Sequence, residues 1–166
     1  QEIHLFHRAR NNSANFEEWD ASADTKWETS FKEITEENKS CKSNNLIVAI
    51  STSLEIKNIE IASITNTKYH IIRFQLQTLG FDIIGNYAQA ENLRKQILSK
   101  IREIVKKYDI QCIHMVISSS VAFTFFLGAG FSSQHDPDVI VYHYDNGKYV
   151  WGIDMKKNGS DAVIIP

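Results

Sequence analysis

The sequence predicts an α/β fold with a mainly parallel sheet and a C-terminal β-hairpin. Three observations carry this. Residues 46–50 and 110–117 are apolar runs of strand length, the kind that suit strands covered on both faces. Between them, residues 90–107 place Leu93, Ile97, Ile101, Ile104 and Val105 on one helical stripe. Residues 139–153 read as two strands joined through Asp145, Asn146 and Gly147, and an Asn-Gly pair is a strong hairpin turn signal.

Residues 3–7 alternate weakly and suit an edge strand or the tail of a linker. Residues 16–39 read as a helix, because Ala23, Trp27, Phe31 and Ile34 recur at spacings of three and four. This segment is acidic, with eight Asp or Glu against two lysines over residues 17–37, net -6. Strand 46–50 runs into Ser51, Thr52 and Ser53. Residues 69–76 carry Ile71, Ile72 and Phe74 and read as another strand. Helix 90–107 is basic on its outer face, with six Lys or Arg against two acids over residues 91–107, net +4. Strand 110–117 stops at Ser118, Ser119 and Ser120, and a helix occupies residues 121–128.

At 166 residues the chain is long enough for one domain with a substantial core. Its composition, 43% hydrophobic and 23% charged, is that of a folded protein. A net charge of -2 argues against duplex DNA as a partner, which calls for a basic excess, but leaves room for a small anion on a local positive patch. The two cysteines, Cys41 and Cys112, have neither zinc-site spacing nor a disulfide framework, so a reducing cytoplasm is expected. No run is long enough to span a membrane. The chain opens on Gln1 without a cleavage signal, and is expected to be a piece of a longer protein whose effector lies elsewhere. No metal-ligand spacing, Walker-type loop or Gly-x-Ser-x-Gly elbow appears, so the residues give no positive case for catalysis.

The two strand-to-serine junctions, at Ser51 and Ser118, stand 67 positions apart and suggest an internal repeat of a β-loop-α unit. Hydroxyls and free amides at such a junction make a seat for a phosphate. The ordinary alternative is a helix cap or serine turn. The wider pattern resembles one family. Ser119, Ser120, Val121, Ala122 and Phe123, then Leu127 and Gly128, then residues 139–145 and Tyr149, Val150 and Trp151, are similar to the C-terminal part of SAVED domains. Residues 46–53 look like that family's first ligand-facing strand, and the acidic segment with Trp27 like its opening helix. The resemblance covers roughly residues 20–155. One departure is that many members carry a proline in the loop where this chain has serines, which bears on loop geometry and on the ring size accepted.

The resemblance implies two fused CARF-like halves, each a Rossmann variant, over about 20–85 and 86–166, with residues 1–19 as a leading segment. It implies a sensor of a cyclic tri- or tetranucleotide, adenine-containing, in bacterial antiphage defence of the CBASS or CRISPR type. Such a sensor would activate a fused effector, with head-to-tail self-association driven by ligand. The competing activity is a phosphodiesterase that cleaves such rings. Ligand contact is expected at Ser51, Thr52, Ser53, Leu54 and Lys57 on the first loop, and at Ser118, Ser119 and Ser120 on the second. Phe123 and Tyr144 are candidate neighbours of a base. No catalytic residue, cofactor or metal is expected. His114, inside a buried strand, reads as a satisfied core histidine.

Overall fold

The computed structural model describes residues 6–8, 16–18, 30–81 and 83–166. Strand β1 (Phe6–Arg8) pairs antiparallel with β2 (Phe16–Glu18). The remaining described strands form one seven-stranded sheet. In chain order these are β3 (Glu33–Glu37), β4 (Asn45–Ser51), β5 (His70–Gln75), β6 (Cys112–Ser118), β7 (Asp138–Asp145), β8 (Lys148–Asp154) and β9 (Val163–Ile164). Their spatial order is β3-β5-β4-β6-β7-β8-β9. The helices are α1 (Asn58–Ile61), α2 (Tyr87–Tyr108) and α3 (Val121–Gly128).

The α/β class holds, with a difference of detail. Pairings β5–β4, β4–β6 and β6–β7 are parallel, whereas β3–β5, β7–β8 and β8–β9 are antiparallel. The parallel part is thus the centre of a mixed sheet rather than most of it. The two β-loop-α units marked by the serine junctions lie in this single sheet, on its adjacent strands β4 and β6.

Each central strand alternates between two cores. On one face, Leu46, Val48 and Ile50 of β4 meet Leu93, Ile97, Ile101 and Ile104 of α2 and Phe123 of α3. On the other, Ile47 and Ala49 join Ile56, Ile61 and Ile64 around α1, with Tyr142 and Tyr149 of the hairpin. Burying each large aliphatic or aromatic side chain contributes ~1.5–3 kcal/mol. Helix α2 starts at Asn86, whose side chain accepts from the Gln89 amide at 2.8 Å, and ends at Asp109 in the left-handed conformation. The hairpin turn uses Asn146 and Gly147, both at positive φ, as that dipeptide demands.

The helix expected over residues 16–39 is corrected. Residues 16–18 and Glu33–Glu37 are strands; Ala23 and Trp27 lie outside the described residues. The helical spacing of Phe31 and Ile34 was accidental: Phe31 is buried against Phe74, while Ile34 is 41% exposed. Residues 33–37 instead complete the sheet edge beside β5, and their acids find cations there. Glu37 accepts from Arg73 at 2.6 Å, and Glu36 accepts from Lys107 at 3.0 Å and from the Tyr108 hydroxyl. Glu36 is held below its usual pKa by these bonds, the Tyr108 bond foremost. Acidic residues 33–37 and the end of basic helix α2 therefore meet within one chain instead of occupying opposite sides.

Cys41 and Cys112 are free and half-buried. Burial pushes the Cys112 thiol up to about 11. His114 is 8% exposed, with Nδ1 at 2.9 Å from the Tyr142 hydroxyl and Nε2 at 3.0 Å from Asn45 Oδ1, which is the satisfied core histidine its strand position predicts. No helix among the described residues is long and apolar enough to cross a membrane.

Candidate ligand-binding site

The chain leaves β4 toward β5 through α1 on one face of the sheet, and leaves β6 toward β7 through α3 on the other. Adjacent parallel strands whose loops part in opposite directions form a topological switch point, where open α/β sheets place ligands. Both serine junctions end there. Ser51 and Ser118 are register partners at the last rung of the β4–β6 ladder.

The two loops are sewn together. The amides of Thr52 and Ser53 both donate to the Ser118 carbonyl at 2.9 Å. The Thr52 hydroxyl donates to Ser119 Oγ at 2.7 Å, and the Leu54 amide donates to Ser118 Oγ at 2.9 Å. Ser51 Oγ accepts from the Ile56 amide at 3.1 Å, which turns the chain into α1. Ser53 Oγ is buried and has no partner among the described residues. The first loop is therefore interior at Ser51, Thr52 and Ser53 and emerges at Leu54, which is 57% exposed.

The second loop is half-exposed at Ser118, Ser119 and Ser120. Ser120 is the N-cap of α3: its side chain accepts from the Phe123 amide at 3.3 Å, and its carbonyl accepts from Thr124 N at 3.0 Å. A helix start orphans its first amides. Those of Val121 and Ala122 have no acceptor among the described residues, and the first turn carries no acid. Partial positive charge at such an end favours an anion.

The remaining candidates frame this point. Lys57 is exposed and has no ion pair among the described residues, and its amide donates to Glu60 Oε2 at 2.8 Å. Tyr144 donates to Glu60 Oε1 at 2.9 Å, so the hairpin reaches the same turn, and that bond raises the Tyr144 phenol above its ordinary pKa. Phe123 lies elsewhere: it is fully buried beneath α3. The exposed large apolar side chains of that helix are Val121 and Phe125, at 86% and 56%. Sequence reasoning missed Glu60. Its position three residues after Lys57, at the start of a helix, was the available signal. Among the described residues, no group of acids, histidines and cysteines could hold a metal ion.

Strands that end in hydroxyl-bearing loops at a switch point define an α/β protein of Rossmann-like arrangement. Residues 1–155 match SAVED, the SMODS-associated and fused to various effectors sensor domain, and the chain belongs to this family. Solved structures of the Acinetobacter baumannii Cap4 SAVED/CARF-domain containing receptor share the fold. The form with the cyclic trinucleotide 3'3'3'-cAAA aligns at TM-score 0.60 and 20% identity, over 74% of this chain and 27% of that one. The form with 2'3'3'-cAAA aligns at 0.60 and 18%, over 74% and 28%. A third structure of the receptor aligns at 0.51 and 14%, over 75% and 26%. The chain thus spans about a quarter of these receptors' length. Comparison with curated proteins gives no match.

Proposed function

We propose that this chain contributes the binding surface for a cyclic tri- or tetranucleotide, and that an adenine-containing ring is its ligand. One observation carries the reading. Two serine-rich strand ends stand side by side at the switch point, with the open amides of α3 and the exposed Lys57 nearby. Family membership supports the class of ligand, and the cAAA bound by the Cap4 receptors supports adenine. In this reading Ser119, Ser120 and the α3 amides hold a phosphodiester, Lys57 neutralises charge, and Leu54 and Tyr144 border a base. Ser51, Thr52 and Ser53 shape the loop from within. Phe123 supports α3 from below.

The module acts in the bacterial cytoplasm, and occupancy is passed to an effector in the same protein through ligand-driven self-association. Residues 20–166 form the sensing unit, with 1–19 leading into it. Lys107 already pairs with Glu36 of the same chain, so an acidic-to-basic contact between copies draws on the other charged residues of these segments.

Calorimetric titration with cyclic di-, tri- and tetranucleotides tests the proposal, with the ligand recovered afterwards. Intact 3'3'3'-cAAA with saturable binding is the expected result. A linearised product would identify a phosphodiesterase instead, and no binding to any ring would overturn the reading. Ser119→Ala is expected to weaken binding by about 1.5–3 kcal/mol, the scale of one hydrogen bond to a charged oxygen. Light scattering with and without the ring tests self-association. A complex that stays monomeric at high concentration would sink that part.

A further inference from the structure

Beside α3 lies a groove of about 700 Å³ that the switch-point loops do not account for. Its floor is the α3 face of the sheet beyond the reach of the helices, with Met115 and Ile117 of β6, Val141 and His143 of β7, and Trp151 and Ile153 of β8. One wall is α3 itself, through Thr124 and Phe125. The end away from the switch point is bounded by Pro137, Met155 and Lys156. That end is fastened. Lys156 Nζ reaches Asp138 at 2.8 Å and the Asp136 carbonyl at 3.3 Å, and Arg102 grips the Asp136 carboxylate at 3.0 Å on both oxygens. The carboxylate is held below its ordinary pKa by Arg102.

Three features set the chemistry of the occupant. The lining is mainly apolar, and its one buried carboxylate is already neutralised, so a charged ligand has no partner there. The opposite end has ring faces: His143 and Trp151 stack at 4.7 Å with 20° between their planes, and Phe125 is 56% exposed. The helix wall is continuous with the serine loop, because the Thr124 hydroxyl donates to the Ser120 carbonyl at 3.0 Å. One helical turn separates the amides at the start of α3 from Phe125, about 5.4 Å of rise. That is comparable to the reach from a nucleotide's phosphate to its base.

We propose that this groove is a base pocket, in which a purine of the ring nucleotide stacks on Phe125 and enters toward His143 and Trp151 while its phosphate rests at the start of α3. The inference rests on the binding function proposed for the switch point and adds where a base goes. A neutral, planar, aromatic group fits an apolar slot that is fastened at one end.

The test uses Phe125→Ala and Phe125→Trp, at an exposed position whose substitution leaves the core untouched. Each is titrated with 3'3'3'-cAAA and with the same ring carrying no bases. The expected loss for Phe125→Ala is about 5- to 150-fold, the range of one base stacked on an aromatic ring. Phe125→Trp retains affinity, and the baseless ring binds wild type and Phe125→Ala alike. If the wild type binds cAAA and Phe125→Ala binds it equally well, the base pocket is overturned while the binding function stands. If the wild type binds no ring, both fail together.

Discussion

The loop after β4 and the loop after β6 are built from the same kinds of residue, yet the fold treats them oppositely. Ser51, Thr52 and Ser53 are buried, and the hydroxyls of Ser51 and Thr52 hold neighbouring backbone and side chain. Ser118, Ser119 and Ser120 stay half-exposed. The cause is the element that each loop leads into. After Ser53 the chain crosses to a helix of only four residues, α1, and the segment after β5 closes on the loop, with the Gly80 amide donating to the Thr52 carbonyl at 3.0 Å. After Ser120 it enters the eight-residue α3 at once, so the loop is also a helix start whose first amides have no acceptor among the described residues. Similar residues thus yield a strut in one place and a presenting surface in the other.

The largest effect is expected at the support of the loop after β6. Phe123 is fully buried under α3, and Phe125 on the same helix is exposed. Phe123→Ala is expected to cost about 3–5 kcal/mol in urea unfolding, the usual range for an emptied aromatic site. Phe125→Ala should change stability by less than about 0.5 kcal/mol. Equal losses at both positions would show that α3 does not sit as described.

The strands below the two loops differ as well. His114 of β6 lies opposite Ile47 of β4, and burial pushes its imidazole down to about 4. An unfolded histidine titrates near ~6.5. Between these values the unfolded chain binds a proton that the folded chain refuses. This contribution to stability is therefore complete above about 6.5 and is lost as pH falls toward 4. The full shift corresponds to ~3 kcal/mol. Stability measured from about pH 7 to about pH 4 should show this loss, and His114→Gln should flatten that part of the profile. An unchanged slope in His114→Gln would assign the acid sensitivity to other groups.

The strands and long helices were legible because their patterns are local. The apolar run of β4, the stripe of α2 and the Asn146-Gly147 turn each announce themselves. Even the 67-residue spacing of the serine junctions was informative, since it equals the register offset that pairs Ser51 with Ser118. What was not legible depended on contacts far along the chain. Glu36 and Glu37 look like the outer face of a helix until Lys107, Tyr108 and Arg73 arrive beside them. The candidate site was half legible: residue type marked both loops, but the opposite exposure of Thr52 and Ser119 depends on the crossover geometry. Phe123 and Phe125 cannot be told apart until the helix is set on the sheet.

A smaller effect tests the stitch between the loops. Thr52→Val keeps the shape of a fully buried side chain but removes its hydroxyl. Loss of the bond to Ser119 Oγ should cost about 1–3 kcal/mol. Ser119→Ala should cost a comparable amount, because it leaves the buried Thr52 hydroxyl with only the 3.3 Å contact to the Ser118 carbonyl. The double variant should lose less than the two single losses added together, since each removes the same bond. Strict additivity in urea unfolding would mean that the two loops are not coupled through this pair.

The smallest effect concerns Ser120, where capping and ligand contact compete for one hydroxyl. Its side chain accepts from the Phe123 amide at 3.3 Å, longer than the 2.8 Å cap that Asn86 gives α2. A long cap bond on a half-exposed residue is a modest stabiliser, so Ser120→Ala should cost ~1 kcal/mol and Ser120→Gly only a few tenths. If the hydroxyl serves the helix alone, affinity for 3'3'3'-cAAA should be the same in Ser120→Ala as in wild type once both are fully folded. If it also meets the phosphate, affinity should fall in Ser120→Ala and in Ser120→Gly alike, although only the first loses appreciable stability. The glycine variant separates the roles, because it spares most of the cap energy while removing the hydroxyl. Full affinity in both variants would leave the Val121 and Ala122 amides, with Ser119, as the phosphate seat and confine Ser120 to the helix.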